Sequence, residues 1–169
     1  FVARTHDMAH KHMVETCTRA HQHRGAAFVE VYQNCNVFND GAFDSILSKD
    51  ARPNMLIELR HGEPVRFGAD QEFGVVLNEF GEAKIVNVAD AGEGALVVHD
   101  ERRSDPALAF ALSRLASRPT SPTPVGVFRS VERPTYEGEV QRQLAEASEK
   151  SGPGDLHALL RSAPTWSVA

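Results

Sequence analysis

Short apolar runs bounded by glycine, proline and carboxamides alternate with helical stretches along this chain, and the two periods separate cleanly. Residues 1–4 read as a short strand. Across 7–24, Met13, Val14, Cys17 and Ala20 fall at i, i+1, i+4 and i+7, one face of a helix. Thr5 or Asp7 is placed to cap its start, and Arg19, His21, His23 and Arg24 favour its negative end. Gly25 supplies the stop. Phe28, Val29, Val31 and Tyr32 then suit a buried strand. Strand, helix, strand within about thirty residues predicts a parallel, right-handed βαβ unit.

Polar residues 44–54 predict a loop with at most one helical turn. Residues 55–59 and 65–67 read as strands around the His61-Gly-Glu-Pro64 turn, a β-hairpin with Pro64 at its edge. Residues 73–77 and 84–88 flank a second turn at 78–82, and 95–99 form one more apolar run, so a small antiparallel addition is expected. Asp105 and Pro106 open a helix over 107–116 with Leu108, Phe110, Leu112 and Leu115 as its core face. A stiff proline-rich connector at 117–124 leads to a strand at 125–128, where Gly126 permits close packing. A surface helix over 137–151 ends at Gly152-Pro-Gly154. Asp155 caps a last short helix with Leu156, Leu159 and Leu160, and the large ring of Trp166 is expected to anchor the tail.

At 169 residues and 41% hydrophobic content, one domain with a modest core is expected. A net charge of −5 argues against a nucleic-acid surface. No apolar run approaches the roughly 20 residues that span a bilayer. The two cysteines do not make a disulfide framework, and a reducing, cytoplasmic setting is the expectation. His6 and His10 share a helical i, i+4 spacing but lack the intervening Glu of a zinc hydrolase. His61 and His99 stand alone and read as surface or strand-edge residues.

The segment with most chemistry follows residues 28–32. Gln33, Asn34, Cys35 and Asn36 arrive in a row, then Asn39, Asp40 and Gly41. Consecutive carboxamides are poor core material, since each buried amide needs partners, so a polar loop leaves the sheet here. In open α/β sheets ligands gather at the carboxyl ends of strands, where Cys35 stands. The thiol admits three readings: a nucleophile, although no base follows at a telling spacing; a metal or cluster ligand; or a small buried hydrophobe. Asn39 and Asp40 fit either cofactor contacts or plain turn chemistry.

The stretch Glu30-Val-Tyr-Gln-Asn-Cys-Asn-Val-Phe-Asn-Asp-Gly-Ala-Phe43 closely resembles the β subunit of 2-oxoacid:ferredoxin oxidoreductases, nearest to the 2-oxoglutarate type. The resemblance runs upstream through residues 1–4 and 20–26. It continues downstream through Arg60-His-Gly-Glu-Pro-Val-Arg-Phe-Gly68, Pro124-Val-Gly-Val-Phe-Arg129 and Arg133-Pro-Thr-Tyr-Glu137. It implies an α/β fold: the C-terminal part of a thiamine-diphosphate-binding fold, a parallel sheet flanked by helices, with a small antiparallel β addition. Residues 1–50 would be its last βαβ unit and cluster loop, and 51–169 a C-terminal α+β extension.

The family carries thiamine diphosphate, Mg²⁺ and one [4Fe–4S] cluster, and the resemblance makes Cys35 a cluster ligand. Asn34, Asn36, Asn39 and Asp40 become candidate cofactor contacts, with Asn34 and Asn36 as donors to cluster sulfurs. The family's Cys-x-x-Cys pair, third cysteine and Gly-Asp-Gly segment are absent, so the chain reads as a C-terminal half, holding no catalytic residue and most cofactor ligands lying elsewhere. The implied reaction is CoA-dependent oxidative decarboxylation of a 2-oxoacid, 2-oxoglutarate giving succinyl-CoA, with electrons passing to ferredoxin. The implied partners are the α subunit and ferredoxin, the latter docking on Arg102, Arg103, Arg129 or Arg133; nucleic acid and membrane are not among them. The alternative is a non-catalytic α/β assembly module in which Cys35 is a structural thiol.

Overall fold

The computed structural model describes residues 1–117, 121–164 and 166. Strand β1 (Val2–His6), helix α1 (His10–Gln22) and strand β2 (Phe28–Tyr32) form the expected βαβ unit, with β1 and β2 parallel and Ala3 beside Val29. Short helices α2 (Asp44–Leu47) and α3 (Arg52–Met55) follow, then β3 (Leu56–Leu59), β4 (Arg66–Phe67), β5 (Phe73–Leu77) and β6 (Ala83–Asn87). After helix α4 (Val88–Ala91) and a 3-10 turn come α5 (Ala107–Ser113) and β7 (Thr123–Arg129). The main sheet has the order β2-β1-β7-β3, with β7 antiparallel to β1 and parallel to β3; β4, β5 and β6 make a separate antiparallel sheet. The α/β class and the small antiparallel addition are as the sequence indicated.

Between the two sheets and α5 lies the principal core of Ile57, Leu59, Val65, Phe67, Val75, Leu108, Leu112 and Phe128. Burying each of these side chains contributes about 1.5–3 kcal/mol of transfer free energy. On the α1 side of the sheet a smaller cluster joins Phe1, Ala3 and Val127 to Ala20 and Val29. The strand glycine is needed where it was expected: Gly126 has φ +112°, and a Cβ there would stand 2.8 Å from the Leu59 carbonyl oxygen.

Contacts divide the chain into one unit of residues 1–133 and another of residues 134–169. The second unit contains α6 (Tyr136–Ser151), capped by Thr135, and α7 (Leu156–Leu160), capped by Asp155; the cap at Asp155 is the one the sequence indicated. No residue of either helix is buried.

Several local expectations are corrected. Helix α1 turns Thr16 inward, with His12 bonded to Thr5 Oγ1 at 2.7 Å, while Val14 and Cys17 are exposed. Only part of the expected apolar stripe meets the sheet: Ala20 packs on it, while polar Thr16 takes the buried position. Neither Thr5 nor Asp7 caps it, because Thr5 lies in β1 and Asp7 accepts a bond from the loop after β2. Phe28 and Val31 are exposed because β2 is the edge of the described sheet.

Residues 44–54 hold two helical turns instead of one. The hairpin expected from 55–59 and 65–67 does not form, since β3 pairs with β7 in the main sheet and β4 pairs with β5 in the small one. His99 is fully buried, with Nε2 donating to the Val127 carbonyl at 2.7 Å. Phe110 and Trp166 are exposed, so the first lies off the core face of α5 and the second anchors nothing among the described residues. His6 ends β1, which removes the helical spacing to His10. Of the connector at 117–124, residues 118–120 lie outside the described residues.

Candidate functional site: the Cys35 loop

At the carboxyl edge of the parallel β1–β2 pair the chain turns back on itself through residues 33–43. The Asp7 backbone N–H donates to the Tyr32 carbonyl at 3.0 Å, which joins the ends of both strands. Asp7 Oδ2 accepts the backbone N–H of Asn34 at 3.2 Å. Asn34 Nδ2 donates to Asn36 Oδ1 at 2.7 Å and to Asp40 Oδ1 at 2.9 Å, and its Oδ1 accepts the Gly41 N–H at 2.9 Å. Gly41, at φ +73°, provides the left-handed turn this closure requires. The loop rejoins the sheet where Phe43 stacks on Tyr32, ring centroids 4.5 Å apart.

Cys35 sits inside this frame, half-buried and outside both core clusters. The Asn39 N–H donates to the Cys35 carbonyl at 2.8 Å and closes a tight turn. The backbone amides of this turn, that of Phe38 first and then that of Val37, hold the pKa of the Cys35 thiol below the usual value. The side chains of Val37 and Phe38 project into solvent, 79% and 91% exposed. An aliphatic burial of the sulfur, as a plain core thiol would require, is not what the fold provides.

The candidates fall into place unequally. Asn34, Asn36 and Asp40 are gathered by side-chain hydrogen bonds around Cys35. Asn39 also lines a cavity of about 510 Å³ with Tyr32, Phe43 and Thr123. The structure turns both polar ends of the Asn34 amide into the loop, toward Asn36, Asp40 and Gly41. Asp7, read from sequence as a helix cap, is the residue missed; its position directly after β1 was the available signal. The Arg129 of the arginine group lies beside Val2, at the amino end of β1, so the length of that strand separates it from Cys35.

A half-open thiol whose pKa is lowered by nearby backbone amides is chemically suited to one iron position of a cluster, because thiolate ligands need charge stabilisation without a competing cation. A [4Fe–4S] cluster takes four such ligands. This loop offers one, and Cys17 lies exposed on α1. Among the described residues no group of three or more His, Cys, Asp or Glu is placed to hold a metal ion, and no helix is long and apolar enough to cross a membrane.

No family model matches the chain, and no solved structure matches it. It is 42% identical over 170 aligned residues, 99% of its length, to the 2-oxoglutarate oxidoreductase subunit KorB of Mycobacterium tuberculosis (strain ATCC 25618 / H37Rv). It spans 45% of the length of that protein. The resemblance read from Gln33-Asn-Cys-Asn36 and its flanks is thus borne out: nearly the whole chain is similar to part of a protein named as a 2-oxoglutarate oxidoreductase subunit.

Proposed function

We propose that this chain is part of the β subunit of a 2-oxoacid:ferredoxin oxidoreductase acting on 2-oxoglutarate, and that Cys35 supplies one thiolate to a [4Fe–4S] cluster. The observation that carries the reading is the half-buried Cys35 in the loop at the carboxyl edge of a parallel strand pair, its thiol pKa lowered by the Phe38 and Val37 amides. The 42% identity to a subunit named for 2-oxoglutarate supports the substrate class. When bound, thiamine diphosphate with Mg²⁺ supplies the decarboxylation chemistry, and the cluster relays electrons singly to ferredoxin while CoA takes the acyl group.

The chain's own part is positional. Cys35 offers a thiolate, and the amides of Val37 and Phe38 stabilise its charge. The exposed Val37 and Phe38 side chains would exclude water once the rest of the enzyme covers them. Asn39 and Asp40, one beside the Tyr32 cavity and one on the loop rim, are the candidates for contact with the organic cofactor. Residues 1–50 are taken as the last βαβ unit of the cofactor-binding fold and 51–169 as its extension. The remaining ligands come from the rest of the subunit and from an α subunit in the cytoplasm.

A non-catalytic assembly module with Cys35 as a structural thiol is the competing reading, and the half-open, amide-lined setting of the sulfur disfavours it. The test is anaerobic preparation of the complete subunit with its partner. Brown colour, stoichiometric iron and 2-oxoglutarate-dependent reduction of ferredoxin are expected, with colour and iron lost in Cys35→Ser. A colourless wild type, or full cluster retention in Cys35→Ser, overturns the assignment.

A further inference from the structure

Helix α1 packs on β1 and β2, and beside it, against β7 and the end of β3, the fold leaves a cavity of about 600 Å³. Three arginines from separate segments line its wall: Arg19, Arg60 and Arg102. Two of them are braced. Arg19 Nη2 meets Glu101 Oε1 at 2.7 Å, and the Glu101 side chain is only 9% exposed. Burying a carboxylate is costly unless it is paired, and here the buried group aligns a guanidinium that stays 39% exposed. Arg60 Nη2 meets Glu58 Oε2 at 2.7 Å, with Glu63 at 4.0 Å from Nη1. A guanidinium carries five N–H groups, so both arginines keep spare donors.

Among the described residues the Arg102 side chain forms no ion pair, and its backbone N–H is engaged by Asp100 Oδ1 at 2.9 Å. His61 lines the same wall. Its Nδ1 accepts the Glu101 N–H at 3.3 Å, which leaves the proton of the neutral ring on Nε2 as one more donor. The remaining carboxylate of the wall, Glu15, stands one helical turn before Arg19. Three guanidiniums against three carboxylates leave little net field, so the cavity's offer is a set of convergent N–H donors.

We propose that this cavity binds the phosphate group of a small phosphorylated molecule, with Arg102 as the principal contact and Arg60, Arg19 and His61 as further donors. A phosphate presents three oxygens to several donors at once, where a carboxylate has two, and the arginine fork pairs with two of them in parallel. The volume falls within the roughly 300–1,000 Å³ of small-molecule sites, so an organic body fits beside the phosphate. The site draws on neither Cys35 nor its loop.

The experiment is a calorimetric titration of the complete subunit, in complex with its α subunit, with inorganic phosphate as the probe. Thiamine diphosphate is present in excess, so that the cofactor's own diphosphate site is filled. Saturable binding is expected, and succinate should compete at least about 10-fold more weakly. Arg102→Ala should weaken phosphate about 10–100-fold, as loss of one or two charge-assisted hydrogen bonds does, and Arg102→Lys should restore only part of it. Arg103→Ala removes a neighbouring charge that does not line the cavity and should leave affinity unchanged.

Folded wild-type complex that takes up no phosphate overturns the site. Equal losses in Arg102→Ala and Arg103→Ala overturn it too, since they reduce binding to general surface charge. Succinate binding as tightly as phosphate overturns the ligand class. An Arg102→Ala complex that keeps its phosphate affinity but shows a raised KM for ferredoxin assigns Arg102 to protein docking instead.

Discussion

Gly126 of β7 and Leu59 of β3 are neighbours in register, and their backbones approach so closely that a Cβ on Gly126 would stand 2.8 Å from the Leu59 carbonyl oxygen. The φ of +112° at Gly126 adds a conformation that L-residues resist. The obstacle is backbone, which cannot swing aside. Gly126→Ala should therefore cost about 3 kcal/mol, read as a lower urea midpoint at constant m-value. A loss under about 0.5 kcal/mol would mean that β3 and β7 are not packed this way.

Arg4 of β1 bridges the two strands that flank it, β2 and β7. Its Nε donates to Glu30 at 2.6 Å and its Nη1 to the Pro124 carbonyl at 3.2 Å, while the guanidinium lies 5.3 Å from the Tyr32 ring centroid and 5.2 Å from that of Phe128. The planar fork serves all four contacts at once, and an ammonium cannot. Arg4→Ala is expected to destabilise by about 1–3 kcal/mol, and Arg4→Lys to recover less than half of that. Equilibrium unfolding of both variants checks it; a full recovery in Arg4→Lys would reduce the contact to charge alone.

His6 and His99 are buried, and burial is the chief reason that both imidazoles have pKa values below 6.5. Arg52 and His12 lower His6 further, against Asp7 and Glu58; around His99, the Val127 carbonyl, Glu101 and Asp100 oppose burial, and His61 adds to it. The unfolded chain thus binds protons first as pH falls. Their contribution is complete above about pH 7 and is lost as pH drops below about 6.5, with a slope of up to about 1.4 kcal/mol per pH unit for each histidine. His99→Gln should lower stability at pH 8 and flatten the slope between pH 7 and 5. Stability that rises on acidification across that range would contradict the buried neutral state.

Cys35 in the metal-free protein should carry more thiolate near neutral pH than an ordinary thiol, since the Phe38 and Val37 amides stabilise its charge. Iodoacetamide at pH 7 should alkylate Cys35 ahead of the exposed Cys17, with a rate profile whose midpoint lies below that of a free thiol. Peptide mapping after timed quenching separates the two sites. Faster modification of Cys17 would show that the amides do not reach the sulfur in solution.

Local pattern alone determined a good deal here. The β1–α1–β2 unit, the β5–β6 turn, the cap at Asp155, and the glycine at 126 all follow from periodicity and turn chemistry within a few residues. The carboxamide run after Tyr32 likewise marks a polar loop with a thiol at a strand's carboxyl end. Tertiary structure decided which strands pair and which faces are covered. Residues 55–59 and 65–67 look like a hairpin because their turn is short, yet β7, more than 60 positions away, offers β3 a closer partner through Gly126.

The apolar stripe of α1 was legible, but the Thr5–His12 bond and the Arg19–Glu101 ion pair at 2.7 Å turn Thr16 to the sheet instead. His99 looked isolated because its partner, the Val127 carbonyl, is 28 residues distant in sequence. The role of Asp7 was hidden for the same reason: its bond to Asn34 exists only once two parallel strands lie side by side. Sequence spacing carries short-range geometry, and hydrogen bonds between remote segments are set by how the sheet closes.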